Sequence, residues 1–62
     1  MENLRKIRDM LGLSQFELAK RTGLAQSLIS KFESGKKEPS LSAIIAILKV
    51  IPIKFERLAG LE

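Results

Sequence analysis

The chain has 62 residues, and its 11 Lys and Arg against 7 Asp and Glu give a formal net charge of +4 at pH 7. This length allows one small domain, and the basic balance favours an anionic partner such as nucleic acid. The absence of Cys and His excludes disulfides, thiolate or imidazole metal sites and the usual catalytic triads, and no apolar run reaches the roughly 18 residues of a membrane span. We therefore expect a soluble, cytoplasmic, all-α domain without a signal peptide.

The first predicted helix runs from about Glu2 to Leu11. Leu4, Ile7 and Leu11 recur at helical spacing and are expected to form its buried face. Gly12 is expected to end the helix in the left-handed conformation, which glycine adopts at little cost.

The second predicted helix, about residues 15–22, has the clearest start signal in the sequence. Ser14 and Glu17 form a capping box, in which the serine oxygen accepts the backbone N–H of Glu17. Leu13 before the cap and Leu18 after it are placed to pack together as a hydrophobic staple.

A third helix is predicted at about residues 25–33, and Gly23 allows the chain to turn sharply before it. Ala19 is small where the two helices must cross, while Ile29 and Phe32 mark the buried side of the third helix. A helix–glycine–helix unit this short is typical of a helix-turn-helix.

The polar side of the third helix carries the candidate binding residues. Glutamine and lysine pair with base edges in the DNA major groove, and serine donates or accepts there. An ordinary solvated helix face would have a similar composition, but the position after a glycine turn favours DNA reading. The residues of this stripe are Gln26, Ser27, Ser30 and Lys31.

A loop at residues 35–39 precedes a fourth helix, which is predicted from its Ser40 cap to about Val50. In the loop, Lys36 and Lys37 are either a solvated turn or a clamp on the phosphate backbone. The fourth helix is expected to be the core helix because it has a wide apolar stripe. The stripe consists of Leu41, Ile44, Ile45, Ile47 and Leu48.

A short fifth helix is predicted at residues 53–58, after a break at Pro52. This last segment has more apolar residues than one small core needs, so they either form a dimer surface or are buried in the core. The residues concerned are Ile51, Ile53, Phe55, Leu58 and Leu61.

Three motifs together resemble the lambda-repressor-like (Cro-type, XRE family) helix-turn-helix DNA-binding domain. They are L-x-x-I-R-x-x-L-G-L-S-Q from Leu4, E-L-A-x-x-T-G-L from Glu17 and I-S-K-F-E-S-G-K-K-E-P-S from Ile29. The resemblance extends to about Leu58 and implies a compact five-helix bundle that binds double-stranded DNA.

The resemblance also implies roles for single residues of the third helix. Gln26 and Ser27 match a pair that reads adenine and guanine edges, and Ser30 and Lys31 match positions that reach bases further along. Ala25 replaces the frequent Ser or Thr cap, and its methyl group is a candidate contact to a thymine methyl.

Other matched positions imply contacts to the DNA backbone and one internal ion pair. Gln15 matches a glutamine that bonds a phosphate and braces a glutamine of the recognition helix. Arg8 and Glu33 match a partly buried salt bridge that sets the angle of the third helix, with Arg8 also a candidate phosphate contact. Phe16 replaces a usual polar residue, and the sequence leaves its role open. The remaining backbone contacts implied are Lys36, Lys37 and Ser40.

The sequence therefore predicts a sequence-specific transcriptional regulator, a repressor that binds a pseudo-palindromic operator as a homodimer and is nucleoid-associated when bound. The alternative is a protein-interaction module, such as the antitoxin partner of a toxin or a coactivator adaptor. An enzyme is disfavoured because no carboxylate pair is backed by His, Cys or a Gly-rich phosphate loop. We expect no cofactor, metal, membrane or small-molecule ligand, and either a minimal regulator or the DNA-binding part of a longer protein.

Overall fold

The computed structural model describes residue 1, residues 3–51 and residue 60. This part of the chain contains no strand and four helices: α1 (Leu4–Met10), α2 (Gln15–Thr22), α3 (Gln26–Ser34) and α4 (Leu41–Val50). The all-α prediction is confirmed for these residues, whereas the predicted fifth helix at 53–58 lies outside them. None of the four helices is long and apolar enough to cross a lipid bilayer.

The α1 helix ends in a glycine turn, as its sequence predicts. Gly12 has φ 71°, and its N–H donates to the carbonyl of Asp9 at 3.0 Å. The next N–H, of Leu13, donates to the carbonyl of Arg8 at 3.0 Å. This pair of bonds is a Schellman motif, which satisfies the last carbonyls of the helix and turns the chain toward α2.

The buried face of α1 differs from the prediction. Leu4 and Ile7 are buried, but the third buried residue is Arg8, and Leu11 is 52% exposed. Leu11 follows the last helical residue, so its side chain leaves the core face where the chain turns. The prediction that Leu11 belongs to the core is therefore wrong.

The α2 helix starts and ends where the sequence predicts. Ser14 Oγ accepts the N–H of Glu17 at 3.0 Å, and the serine hydroxyl also lies 3.4 Å from the Glu17 carboxylate. At the other end Gly23, with φ 76°, donates its N–H to the carbonyl of Ala19 at 2.9 Å. This single bond closes the helix in a left-handed turn that leads directly into α3.

The core forms around the corner between α2 and α3. Its largest fully buried side chains include Phe32 and Ile29 from α3 and Leu18 from α2, and Leu24 from the turn packs against them partly buried. Both buried α3 residues lie on one side of the helix, and Leu28 packs beside them partly buried, so the opposite side of the helix is directed away from the core. Among the described residues, the cluster of buried core side chains consists of Leu4, Ile7, Leu18, Ala19, Ile29, Phe32, Ala43, Ile47 and Ile51.

The α4 helix presents a narrower apolar face to the core than its sequence suggests. Ala43 and Ile47 are buried, but Leu41 is 73% exposed and Ile45 is also exposed. Leu41 and Ile45 lie one turn apart on the same edge of the apolar stripe, and this edge is in solvent, whereas Ile44 and Leu48 are half-buried. The prediction that Leu41 and Ile45 belong to the core is wrong.

Ile51 continues the buried face of α4 by one more turn. Its side chain is 0% exposed, and its N–H donates to the carbonyl of Ile47 at 2.8 Å. A dimer surface needs accessible side chains, so the prediction of Ile51 as a dimer residue is wrong. The other four residues of that predicted surface lie outside the described residues.

Candidate nucleic-acid interface

The outward face of α3 collects four of the five residues predicted to read bases, and the fifth, Ala25, is the cap residue that precedes the helix. Each of them is exposed, while Ile29 and Phe32 anchor the core side of the same helix. The sequence pattern therefore produces one continuous polar surface rather than scattered side chains. Its polar members are Gln26, Ser27, Ser30 and Lys31, and the exposed Ala25 lies next to its N-terminal end.

The first turn of α3 lacks a capping side chain. Ala25 occupies the cap position with extended backbone, φ −67° and ψ 141°, and makes no side-chain cap hydrogen bond. The first turn also contains no acidic residue. The partial positive charge of the helix N-terminus is therefore not offset by the protein's own side chains, which favours an approaching phosphate.

The other end of α3 is held by an ion pair with α1. Arg8 Nε donates to Glu33 Oε2 at 2.8 Å and Arg8 Nη2 donates to Glu33 Oε1 at 3.2 Å, which makes the pair bidentate. Arg8 Nη1 donates to the carbonyl of Leu13 at 2.8 Å and lies 3.3 Å from the Asp9 carboxylate. The ion pair thus links α1, the turn after it and α3.

Both side chains of this pair are nearly out of solvent, with 9% of Arg8 and 6% of Glu33 exposed. A hydrogen bond from its guanidinium to Glu33 raises the pKa of Arg8 further above its ordinary value. Burial raises the pKa of Glu33, but hydrogen bonds from Arg8 and Gln15 oppose this, and the net result is a lowered pKa. Both groups are therefore charged at neutral pH.

This geometry corrects one predicted role of Arg8. A phosphate contact requires exposed donors, but the Arg8 side chain is 9% exposed and both its Nη atoms and its Nε already have acceptors within the protein. Arg8 is therefore an internal link between helices, and the prediction that it binds phosphate is wrong.

Gln15, at the start of α2, also contacts the buried pair. Its Nε2 donates to Glu33 Oε1 at 2.9 Å, so one carboxylate connects α1, α2 and α3. No hydrogen bond joins Gln15 to Gln26 among the described residues, in contrast to the brace that the resemblance implies. The amide nitrogen has a second N–H, so a phosphate contact from Gln15 stays a prediction.

The loop lysines are fixed to the end of α3 through one carbonyl group. The carbonyl of Lys31 accepts the N–H of Lys36 at 3.0 Å, the N–H of Lys37 at 3.4 Å and the hydroxyl of Ser34 at 3.2 Å. Gly35, with φ 77°, makes this turn possible. Both loop lysines are exposed and follow directly from the polar face of α3.

Ser40 has a structural role whether or not it also binds DNA. Its Oγ accepts the N–H of Ala43 at 3.2 Å and lies 3.1 Å from the hydroxyl of Ser42. The cap fixes the start of α4, as predicted from the sequence. The residue remains exposed, so its proposed phosphate contact stays a prediction.

The structure shows positions for Phe16 and Arg5 that the sequence alone does not predict. Phe16 is exposed, and Lys20 Nζ lies 5.8 Å from the centre of its ring, which is within cation–π distance.

Arg5 lines a shallow depression beside α3, together with Gln15 and Ser30. Sequence periodicity places Arg5 only on the outer side of α1, and the nearness of α3 becomes visible only in the fold.

Comparison with known proteins places this geometry in a family context. A family model described as helix-turn-helix matches residues 4–58. A relative in Sinorhizobium fredii, named as the uncharacterised HTH-type transcriptional regulator y4dL, is 36% identical over 53 residues. These residues are 86% of this chain but 27% of the relative, so the chain spans about a quarter of the length of that protein. No solved structure gives a significant match.

Proposed function

Because the chain belongs to the helix-turn-helix family, we propose that it binds double-stranded DNA sequence-specifically and regulates transcription. The observation that carries the proposal is the exposed polar face of α3, which is backed by buried Ile29 and Phe32 and fixed at one end by Glu33. A rigid helix with outward glutamine, serine and lysine side chains fits the major groove.

Base reading is assigned to the outward face of α3. Gln26 lies in its first turn, where its amide can form a bidentate pair with adenine, and Ser27 is next to it. Ser30 and Lys31 lie one turn further along and contact bases or the sugar-phosphate backbone there. Ala25 provides a methyl group for apolar contact with thymine.

Backbone binding is assigned to the cations around this face. Lys36 and Lys37 are anchored at the end of α3 and exposed, so they can neutralise phosphates beside the groove. Gln15 and Ser40 contribute polar contacts at the starts of α2 and α4. Because phosphate neutralisation releases counterions, the affinity is expected to fall steeply as salt increases.

Assembly and regulatory direction form a finer part of the proposal. A homodimer would bind two half-sites of a pseudo-palindromic operator, about one helical turn or 34–36 Å apart. Repression follows if the bound dimer blocks access of the transcription machinery to a promoter. The name of the Sinorhizobium fredii relative supports transcriptional regulation and does not specify repression.

A protein-interaction module is the second candidate function. Several large apolar side chains are exposed, which is the kind of surface that a partner protein covers. DNA binding requires contacts on α3 and the loop after it, whereas a protein partner would cover apolar residues elsewhere. Within the described part of the chain, the exposed large hydrophobic residues are Met10, Leu11, Phe16, Leu41 and Ile45.

Selection of bound fragments from random duplex DNA, performed at two salt concentrations, tests the proposal. We expect a recurrent motif with two-fold symmetry, and an affinity that decreases steeply between low and high salt. Recovery of no preferred sequence would contradict base reading by α3. Absence of binding at low salt would contradict DNA binding altogether and favour the protein-interaction module.

A further inference from the structure

A shallow depression lies beside the polar face of α3, where α1, the start of α2 and the second half of α3 meet. Ser30 belongs both to this depression and to the proposed base-reading face, so the depression adjoins the surface that would face DNA. The residues that line it are Arg5, Gln15, Ser30, Glu33 and Ser34.

The two arginines of α1 differ in whether they can bind an anion at this depression. Arg8 is 9% exposed and is held by Glu33, so it cannot receive a further anion. Arg5, one turn earlier, is 76% exposed, and its ion-pair contact to Asp9 is 4.0 Å long and exposed on both sides. An exposed pair of this kind contributes little to stability, so Arg5 can exchange Asp9 for a stronger partner.

We propose that Arg5 is a further DNA-contacting residue, which binds a backbone phosphate of the duplex beside Gln15 and Ser30. This inference rests on the DNA-binding function proposed above. The planar guanidinium matches the oxygens of a phosphate and can bind two of them at once. Arg5, rather than Arg8, is then the arginine of α1 that holds the DNA backbone.

The charges around the depression are compatible with an incoming phosphate. Glu33 is neutralised by its bidentate pair with Arg8, so its repulsion of an anion is largely cancelled. Arg5 is close enough to affect the same carboxylate. Its positive charge adds to the lowering of the Glu33 pKa, after the larger effects of burial, which raises it, and of Arg8 and Gln15, which lower it.

A pair of matched variants tests this assignment. Arg5→Ala and Lys6→Ala each remove one positive charge from neighbouring exposed positions of α1, but Lys6 does not line the depression. We expect Arg5→Ala to weaken binding to the selected duplex on the order of tenfold for every sequence, and to reduce the slope of log affinity against log salt by about 1. Lys6→Ala should change both quantities much less, and Arg5→Lys should lie between Arg5→Ala and the wild type.

Replacement of single phosphates by neutral methylphosphonates locates the contact. At one position in each half-site, the neutral linkage should weaken wild-type binding but cause no further loss in Arg5→Ala, whereas Lys6→Ala should remain sensitive to it. Thermal unfolding followed by circular dichroism should show that both variants retain the wild-type helix content, because both side chains are exposed.

The outcomes separate this inference from the function on which it rests. If the wild type binds normally but Arg5→Ala and Lys6→Ala lose equal amounts of affinity and of salt slope, the proposed role of Arg5 is overturned. The DNA-binding function is not affected by that result. A methylphosphonate series in which no position loses its effect in Arg5→Ala would overturn the role of Arg5 as well. Failure of the wild-type chain to bind any duplex would overturn the DNA-binding function, and this inference with it.

Discussion

The two ends of α3 are built in opposite ways. At the C-terminal end, Glu33 is buried in a bidentate pair with Arg8 and receives a further hydrogen bond from Gln15. At the N-terminal end, Ala25 makes no side-chain cap, and Gln26 is exposed. The C-terminal end, here called the anchored end, has its polar groups satisfied inside the protein. The N-terminal end, here called the open end, leaves the first-turn amides and the Gln26 side chain without a capping partner from Ala25.

The residues that hold α3 in the fold are therefore different from the residues that are proposed to contact DNA. The buried ion pair links α3 to α1, and Gln15 links the same carboxylate to α2, without using any residue of the outward polar face. The open first turn can then carry side chains chosen for a DNA sequence with little effect on folding. We therefore expect changes at Arg8 to affect stability and changes at Gln26 to affect binding.

Breaking the anchored end should have the largest effect. Arg8→Ala leaves the Glu33 carboxylate buried without its cation, and such a change costs about 3–5 kcal/mol. Urea unfolding followed by circular dichroism measures the loss. The double variant Arg8→Met, Glu33→Leu should recover most of it, because no charge is then left unpaired. A single variant that unfolds at the wild-type urea concentration would show that the pair does not hold the fold.

A change at the open end should affect DNA binding instead. Gln26→Ala is expected to cost about 1–3 kcal/mol of binding free energy at one base position and to leave the unfolding free energy unchanged. The matched variant Lys36→Ala should weaken binding to all sequences alike. Affinities for a set of single-base operator variants measure both effects. An equal loss at every position in both variants would contradict base reading by Gln26.

Capping the open end should stabilise the protein by a smaller amount. The extended backbone at Ala25 suits a capping serine, so Ala25→Ser is expected to add about 1 kcal/mol to the unfolding free energy. Ser14→Ala at the start of α2 should remove a similar amount, because Ser14 already caps Glu17. If Ser14→Ala destabilised the protein and Ala25→Ser had no effect, the first turn of α3 would not have the geometry described.

The pH dependence of the anchored end should be the smallest effect, because burial opposes the hydrogen bonds that lower the pKa of Glu33 below its ordinary value near 4.5. Because the pKa of Glu33 is lower in the folded than in the unfolded state, the ionised carboxylate stabilises the folded protein above pH 4.5. This stabilisation is lost as the pH falls through the pKa that Glu33 has in the folded state. The difference in unfolding free energy between the wild type and Glu33→Gln should therefore shrink in acid. A difference that stayed constant down to pH 3 would contradict the lowered pKa.

The sequence predicts the ends of α2 and the glycine turns after α1 and α2 because these depend on local chemistry. Ser14 caps its own helix, and Gly23 and Gly35 adopt positive φ without help from distant residues. The four polar residues of the outward α3 face are likewise exposed as expected, since helical periodicity places them away from the side of Ile29 and Phe32. Ala25 is exposed as well, but it precedes the helix with extended backbone, so helical periodicity does not place it.

Other features depend on which surfaces meet in three dimensions. The local pattern around Arg8 gives no sign of burial, and the family resemblance alone implied its partly buried pair with Glu33. That Arg8 is not available to a phosphate follows from its packed position and its contacts to Glu33 and Leu13. The exposure of Leu11 and Leu41 likewise reflects how far neighbouring helices extend over them. The place of Arg5 beside Gln15 requires α1 and α2 to be packed together, which periodicity within one helix cannot show.

Titration of isotope-labelled protein with the selected duplex, followed by NMR, shows which helix contacts the DNA. We expect the backbone and side-chain amide signals of Gln26 to Lys31 and the amides of Lys36 and Lys37 to shift strongly. The signals of α4 from Ile44 to Val50 should remain in place. Shifts concentrated on α4, with the α3 signals unchanged, would contradict the assignment of α3 as the DNA-reading helix.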